Sequence, residues 1–245
     1  MINKKNKYDI EFISDTEGLS TIKDASPGPS KDFIPKWWKE VQLTRSNISF
    51  QEVGAGNVKN CPSFPDYFSS GYIIPAWSDM LLSFDPITEL AKSEISNPEF
   101  TVTIHGNNQY LDNVNHVFLG QKSYVVFKLI CPWKIVTKPG YSVYQLPTIY
   151  HFNEDFSVLP GVIDTDIHHN ANLQLIIHTN KKDIFIPRGT PLAQFIPFKR
   201  KTTKFDVRDA NYEDSKMFKN LELKYTTKFV GSKVYQKLRK ERDSK

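Results

Sequence analysis

From residue 70 onward the chain is a succession of short apolar runs cut by Pro, Gly, Asn and Asp. Examples are Gly71-Tyr72-Ile73-Ile74-Pro75, Phe100-Thr101-Val102-Thr103-Ile104, Tyr124-Val125-Val126-Phe127-Lys128-Leu129-Ile130 and Leu173-Gln174-Leu175-Ile176-Ile177-His178. Runs of this length bounded by turn formers read as strands, and the last of them alternates with period two at its start. No long amphipathic helix falls between them, which disfavours a parallel βαβ sheet, and no repeat of 20 to 50 residues is visible. The 17 Phe and 11 Tyr suit pleated, half-buried surfaces. These features predict a mainly β chain of closed or sandwiched antiparallel strands. At 245 residues it is long enough for a sizeable core and is read as one β domain with additions.

The additions are defined by composition. Residues 1–30 end in Asp24-Ala25-Ser26-Pro27-Gly28-Pro29-Ser30, which forbids a continuing helix and predicts an extended arm. Residues 31–69 hold a short helix and a loop. In Phe33-Ile34-Pro35-Lys36-Trp37-Trp38-Lys39-Glu40-Val41, Pro35 suits a first helical turn and the tryptophans are expected to pack inward. The β domain is assigned to 70–205, and 206–245 to a basic, partly helical tail, helical from Ser232. Residues 199–245 carry 15 Lys or Arg against 7 Asp or Glu, within a chain of net charge +5. A solvated helix face explains such a surplus, and contact with nucleic acid through 199–245 is the alternative. No apolar stretch approaches the length of a membrane span, and the start has no secretory apolar region, so neither membrane insertion nor secretion is expected. Cys61 and Cys131 form no CxxC pair, so both are expected to be buried thiols.

Two stretches carry the candidate chemistry: Leu159-Pro160-Gly161-Val162-Ile163-Asp164-Thr165-Asp166, and Ile184-Phe185-Ile186-Pro187-Arg188-Gly189-Thr190-Pro191-Leu192-Ala193-Gln194-Phe195-Ile196. Gly161 can admit a close ligand or a positive φ. Asp164 and Asp166, two apart on an extended segment, point the same way, and one of them can orient a water or a ribose hydroxyl. Arg188 can meet a phosphate through its planar donor fork. A turn with carboxylates capping backbone amides accounts for the same aspartates without a ligand. His168, His169 and His178 lie close together but lack a carboxylate partner at ligand spacing, and no metal site is assigned.

These stretches, in this order and at this separation, resemble the signatures of the dUTPase and dCTP deaminase (β-clip) superfamily. The likeness covers about residues 70–200. It implies a dUTPase-like β-clip core, a distorted barrel or jelly roll, assembled as a homotrimer. It puts a catalytic role on Asp164, which would hold the deoxyribose 3′-hydroxyl and the attacking water. Contacts to a nucleotide would come from Gly161, Val162, Asp166, Ser142 and Gln194, the last at phosphate, with Mg²⁺ as cofactor. The chain departs from the pattern in four places. Ile167-His168-His169-Asn170 stands where the family has Tyr-Arg-Gly-Glu. Tyr141-Ser142-Val143 lacks the family's Arg. Trp77 replaces a glycine in Ala76-Trp77-Ser78-Asp79-Met80, and no glycine-rich arm ends the chain. The expectation is therefore a noncatalytic dUTPase-like protein, structural or interaction-type, with no cofactor. Its composition resembles that of proteins of marine tailed phages, which places it in the host cytoplasm or virion. The alternatives are a deoxynucleotide binder or nucleotide pyrophosphatase, and a nucleic-acid binder.

Overall fold

The computed structural model describes residues 8–41, 58–85, 90–105, 125–177, 181–226, 237 and 240. The chain forms two compact units, Met1–Phe33 with Gly71–Arg200, and Ile34–Ser70 with Lys201–Lys245.

The first unit holds all the strands among the described residues. In chain order they are β1 (Ile10–Ser14), β2 (Gly28–Pro29), β3 (Tyr72–Pro75), β4 (Met80–Asp85), β5 (Leu90–Ile95), β6 (Val102–His105) and β7 (Val126–Leu129). There follow β8 (Trp133–Thr137), β9 (Tyr141–Pro147), β10 (Phe156–Val158), β11 (Gly161–Ile163), β12 (Leu173–Ile177), β13 (Asp183–Ile186) and β14 (Pro191–Lys199). They build four sheets, ordered β11-β9-β14-β3-β2, β10-β12-β7-β6, β13-β4-β5 and β1-β8. Every pairing is antiparallel. The protein is thus mainly β and antiparallel, as the punctuation of its apolar runs predicts.

Alternation sets the core. Leu173, Leu175 and Ile177 of β12 are buried while Gln174 and Ile176 are half-buried, and β8 repeats the pattern with Trp133, Ile135 and Thr137. All of these inward residues but Thr137 join Phe127, Leu129, Leu82, Ile186 and Phe195 in one apolar cluster. β14 departs from alternation, with Leu192, Ala193, Gln194 and Phe195 all buried. It lies between β9 and β3, so both of its edges are hydrogen-bonded. At the start of β3, Gly71 has φ +67, and an added Cβ would stand 2.1 Å from the Phe195 carbonyl oxygen. Only glycine fits an approach of that kind.

Residues 10–14 and 28–29, expected within an extended arm, are strands. β1 pairs along β8, Ile10 opposite Thr137 through Ser14 opposite Trp133, and β2 adds to β3. The β1 sequence alternates too weakly to announce this, and only its partner reveals it.

The second unit contains α1 (Lys36–Glu40), α2 (Ser63–Phe68) and α3 (Tyr212–Thr226). Pro35 sits just before α1 with φ −63 and ψ 149, so its fixed φ starts the helix from outside the first turn. Trp38 is buried, stacked on Phe64 at 5.3 Å between ring centroids and tilted against Phe68 at 5.1 Å, with Lys59 Nζ 5.0 Å over its ring. Trp37 meets Trp38 edge-on. α3 begins with a reciprocal cap, in which Asp214 N–H donates to Asn211 Oδ1 and Asn211 N–H to Asp214 Oδ2. Arg208 pairs with Asp214, and residues 201–213 are exposed throughout. The expected helix from Ser232 lies outside the described residues except 237 and 240, which are helical. Cys131 is buried as expected, whereas Cys61 is exposed. Cys61 falls between a 3₁₀ turn and α2 rather than on a strand, which leaves its side chain outside any apolar layer.

Candidate functional site

The second motif stretch is divided between two sheets: Ile184–Ile186 lies on β13 in the β13-β4-β5 sheet, whereas β14 shares a sheet with β11 of the first stretch. β11, which begins with Gly161, pairs with β9, and β9 pairs with β14, so one strand separates them. Gly161 has open space where a Cβ would stand, and its φ is not positive. Val162 is exposed opposite Tyr144, whose ring stacks on Phe198 at 4.3 Å.

Asp164 and Asp166 lie in the turn that follows β11. The Asp164 carbonyl accepts the N–H groups of Ile167 (2.9 Å) and His168 (2.8 Å). Thr165 between them is fully buried, its hydroxyl 2.7 Å from that of Thr137. Strand alternation therefore has no part in bringing the two carboxylates together. What unites them is Arg200, the residue just past β14. Its Nη1 donates to Asp166 Oδ1 at 2.8 Å and its Nη2 to Asp166 Oδ2 at 2.5 Å. Nη1 also donates to Ser142 Oγ at 3.0 Å and stands 3.1 Å from Asp164 Oδ1. The Ser142 hydroxyl donates in turn to Asp164 Oδ1 at 2.6 Å.

A third element closes the cluster. Lys138-Pro139-Gly140-Tyr141 forms a tight turn, with Tyr141 N–H on the Lys138 carbonyl. Gly140 takes φ +83 in it, as the third residue of a Pro-Gly turn must. That geometry aims the Gly140 N–H at Asp166 Oδ2, 2.8 Å away. Arg200 N–H donates back to the Gly140 carbonyl at 2.8 Å. The Asp166 side chain is only 8% exposed, against 54% for Asp164. The Arg200 hydrogen bonds hold the Asp166 carboxyl down at about 2 against the opposing pull of burial, and Gly140 N–H adds to the effect.

Of the residues nominated from sequence, Ser142, Asp164 and Asp166 come together, with Gly161 and Val162 on the adjoining strand. Gln194 and Arg188 do not join them. Gln194 is 2% exposed in the middle of β14, paired with Leu146 and Ile73, whereas Ser142 pairs with Phe198 four residues further along. Four strand residues span about 13 Å. Arg188 lies in the turn between β13 and β14, where Gly189 has φ +87. Its N–H donates to Asp79 Oδ1 at 2.7 Å and its Nε to Asp24 Oδ2 at 3.0 Å. Arg200 was not nominated, because it stands 34 residues from Asp166 and outside every motif. The one available signal was the position of an Arg at the end of the β-rich region, where the basic surplus begins.

No group of His, Cys, Asp and Glu able to hold a metal ion occurs among the described residues. His169 Nδ1 lies 2.9 Å from the Thr165 carbonyl and 3.2 Å from that of Ile135, so it carries a proton and serves the turn. His178 lies outside the described residues. Asp164 and Asp166 offer hard oxygen ligands of the type Mg²⁺ takes, but Asp166 has both oxygens on Arg200 and is a poor fit to the ion. No helix of the described residues is long and apolar enough to cross a membrane.

Fold and cluster together define a class: an antiparallel β protein with an Arg-carboxylate-serine network at the junction of three strand ends. No family model matches the chain, and no curated protein does. Solved structures similar to it are dUTPases. EIAV dUTPase has 11% identity, with 58% of this chain and 85% of that one covered, at a TM-score of 0.32. The dUTPase from phage phi11 of S. aureus has 9% identity, with 84% and 99% covered, at 0.36. That of Staphylococcus bacteriophage 80alpha has 10% identity, with 82% and 97% covered, at 0.35.

Proposed function

We propose that this chain is a noncatalytic β-clip protein of dUTPase type, with a structural or interaction role in a phage and a homo-oligomeric, trimeric assembly. The observation that carries the reading is the closure of the Ser142, Asp164, Asp166 and Arg200 network on itself. A guanidinium bound to three acidic or hydroxyl side chains has its donors directed inward, and a serine hydroxyl donating to Asp164 is not aimed at a phosphate. A pyrophosphatase needs a carboxylate free to orient water and donors free for phosphate. Here Asp164 alone has an exposed oxygen, while Gln194 and Arg188 stand elsewhere in the fold.

The test is pyrophosphate release from dUTP and dCTP with Mg²⁺. The expected result is no release above the protein-free control, and no change on Asp164→Asn. Release that Asp164→Asn abolishes would overturn the reading in favour of a nucleotide pyrophosphatase, which the 54% exposure of Asp164 and its nearness to Arg200 support. A nucleic-acid reading is supported by the exposed Lys201, Lys204 and Arg208. It requires salt-sensitive retention on DNA that removal of 206–245 abolishes.

A further inference from the structure

The connection between β9 and β10 holds apolar side chains out in water. After Pro147 the chain makes a single 3₁₀ turn, Ile149–His151, and Phe152 then takes φ +49 and ψ +47. Among the described residues it is the one non-glycine residue with a positive φ. A helical turn ends there with less strain on glycine or asparagine, so the turn itself gives no reason for a phenylalanine. The turn is fixed without the Ile149 or Phe152 side chains. Phe152 N–H donates to the Ile149 carbonyl at 3.2 Å, and the Thr148 hydroxyl donates to the Pro191 carbonyl at 3.2 Å. Asn153 Oδ1 accepts the N–H groups of Asp155 (2.9 Å) and Phe156 (3.0 Å). On this frame Phe152 is 63% and Ile149 60% exposed.

The same two side chains border a cavity of about 280 Å³, with Pro147 as a further wall and the buried Phe156, Val158 and Leu192 at its back. A cavity of roughly 150 Å³ is enough to admit a benzene ring. No charged residue lines it, so its chemistry suits an apolar ring rather than an ion. One face thus carries a projecting aromatic ring and, beside it, a recess that takes one. A surface holding both halves of a contact fits a second copy of itself. The neighbouring charges agree with that partner. Asp155 pairs with Lys181 at 2.8 Å, and Asp183 accepts the Ser83 hydroxyl at 2.6 Å. Beside that ion pair in the chain stand Glu154 and Lys182, both exposed and of opposite sign. Two copies can set Glu154 of one against Lys182 of the other, whereas a rim of one sign would repel its own copy.

We infer that this turn is the contact between copies of the chain: Phe152 of one copy enters the cavity of the next, against its Pro147 and Ile149 walls. The inference rests on the homo-oligomeric reading given above and adds to it the surface and the anchor. A rigid aromatic seated in a neighbour's recess is the kind of residue that dominates an interface, and it accounts for a phenylalanine kept in left-handed backbone.

The test is sedimentation velocity of the full chain over a range of concentrations. Phe152→Gly removes the ring and also relieves the positive φ, so the fold is not put at risk and its melting midpoint, measured at concentrations where the chain is monomeric, should hold. The concentration at half-assembly should rise about tenfold or more. Phe185→Ser, at a residue that is 61% exposed on β13 and does not line the cavity, should leave assembly unchanged. Glu154→Lys should weaken assembly, and the double variant Glu154→Lys, Lys182→Glu should restore it. Assembly that persists undiminished in Phe152→Gly, or that Phe185→Ser disrupts as strongly, overturns this inference and leaves the homo-oligomeric reading standing. A wild-type chain that stays monomeric throughout overturns both.

Discussion

Asp166 receives three hydrogen bonds, two from Arg200 and one from Gly140, and this has a consequence in acid. A carboxyl whose folded value is depressed to about 2, from an ordinary 3.8, stabilises the fold at every pH above the ordinary value. The contribution is lost as pH falls from that value through about 2, because the unfolded chain binds the proton first. Denaturation followed between pH 5 and pH 2 should show stability declining over that window. Asp166→Asn should lower the melting midpoint at pH 7 and flatten the decline. A second prediction concerns Gly71, whose positive φ and contact with the Phe195 carbonyl leave no room for a methyl group. Gly71→Ala should destabilise by at least about 2 kcal/mol in urea titration, from left-handed strain together with the backbone clash. At this scale the sequence was informative where chemistry is local. Asp164 and Asp166 were legible as a carboxylate pair in a turn-rich stretch, and Ser142 only through the family resemblance. Arg200 was not, because its role exists only after β14 has run antiparallel to β9 and brought its end beside Tyr141.

Elements were readable when their own residues carried the reason for them. β3, β6, β7, β12, β13 and β14 each coincide with an apolar run, and the turn at Lys138-Pro139-Gly140-Tyr141 follows from its Pro-Gly pair. β1 and β2 are different, since nothing in Ile10–Ser14 or in Gly28–Pro29 separates a paired strand from an arm, and the edges of β8 and β3 decide it. The carboxylate pair fails as a period-two argument for a related reason: Ile163 ends β11, and the chain turns at Asp164. For α3 the cap is local and its effect can be measured. Asn211→Ala removes the acceptor for Asp214 N–H, and should destabilise the helix by about 1 kcal/mol. Helical ellipticity at 222 nm should fall while thermal unfolding of the β unit stays in place.

For the whole molecule, its two cysteines are natural reporters. Cys131 lies in the apolar cluster, where burial pushes its thiol up to about 12, while Cys61 is exposed. Since the thiolate is the reactive form, a thiol reagent at pH 8 should titrate one equivalent at once in the native protein. The second should appear only at the rate of unfolding, and in denaturant both should react together. Fast reaction of both in the native state would contradict the placement of Cys131 in the apolar cluster. The overall arrangement of sheets was the least legible level. The antiparallel class follows from run length and punctuation, whereas strand order depends on partners that no local pattern names.

The pairing of Ile73 with Gln194 joins positions about 120 residues apart. A ribosome adds residues at about 5–20 per second, so β3 emerges many seconds before its neighbour in the sheet exists. During that interval Tyr72, Ile73 and Ile74 have no partner strand on that side and are open to association with other nascent chains. The central sheet can close only once β14 has been made, and the yield of native protein should therefore depend on how fast translation delivers β14 and on the chaperones present while it does.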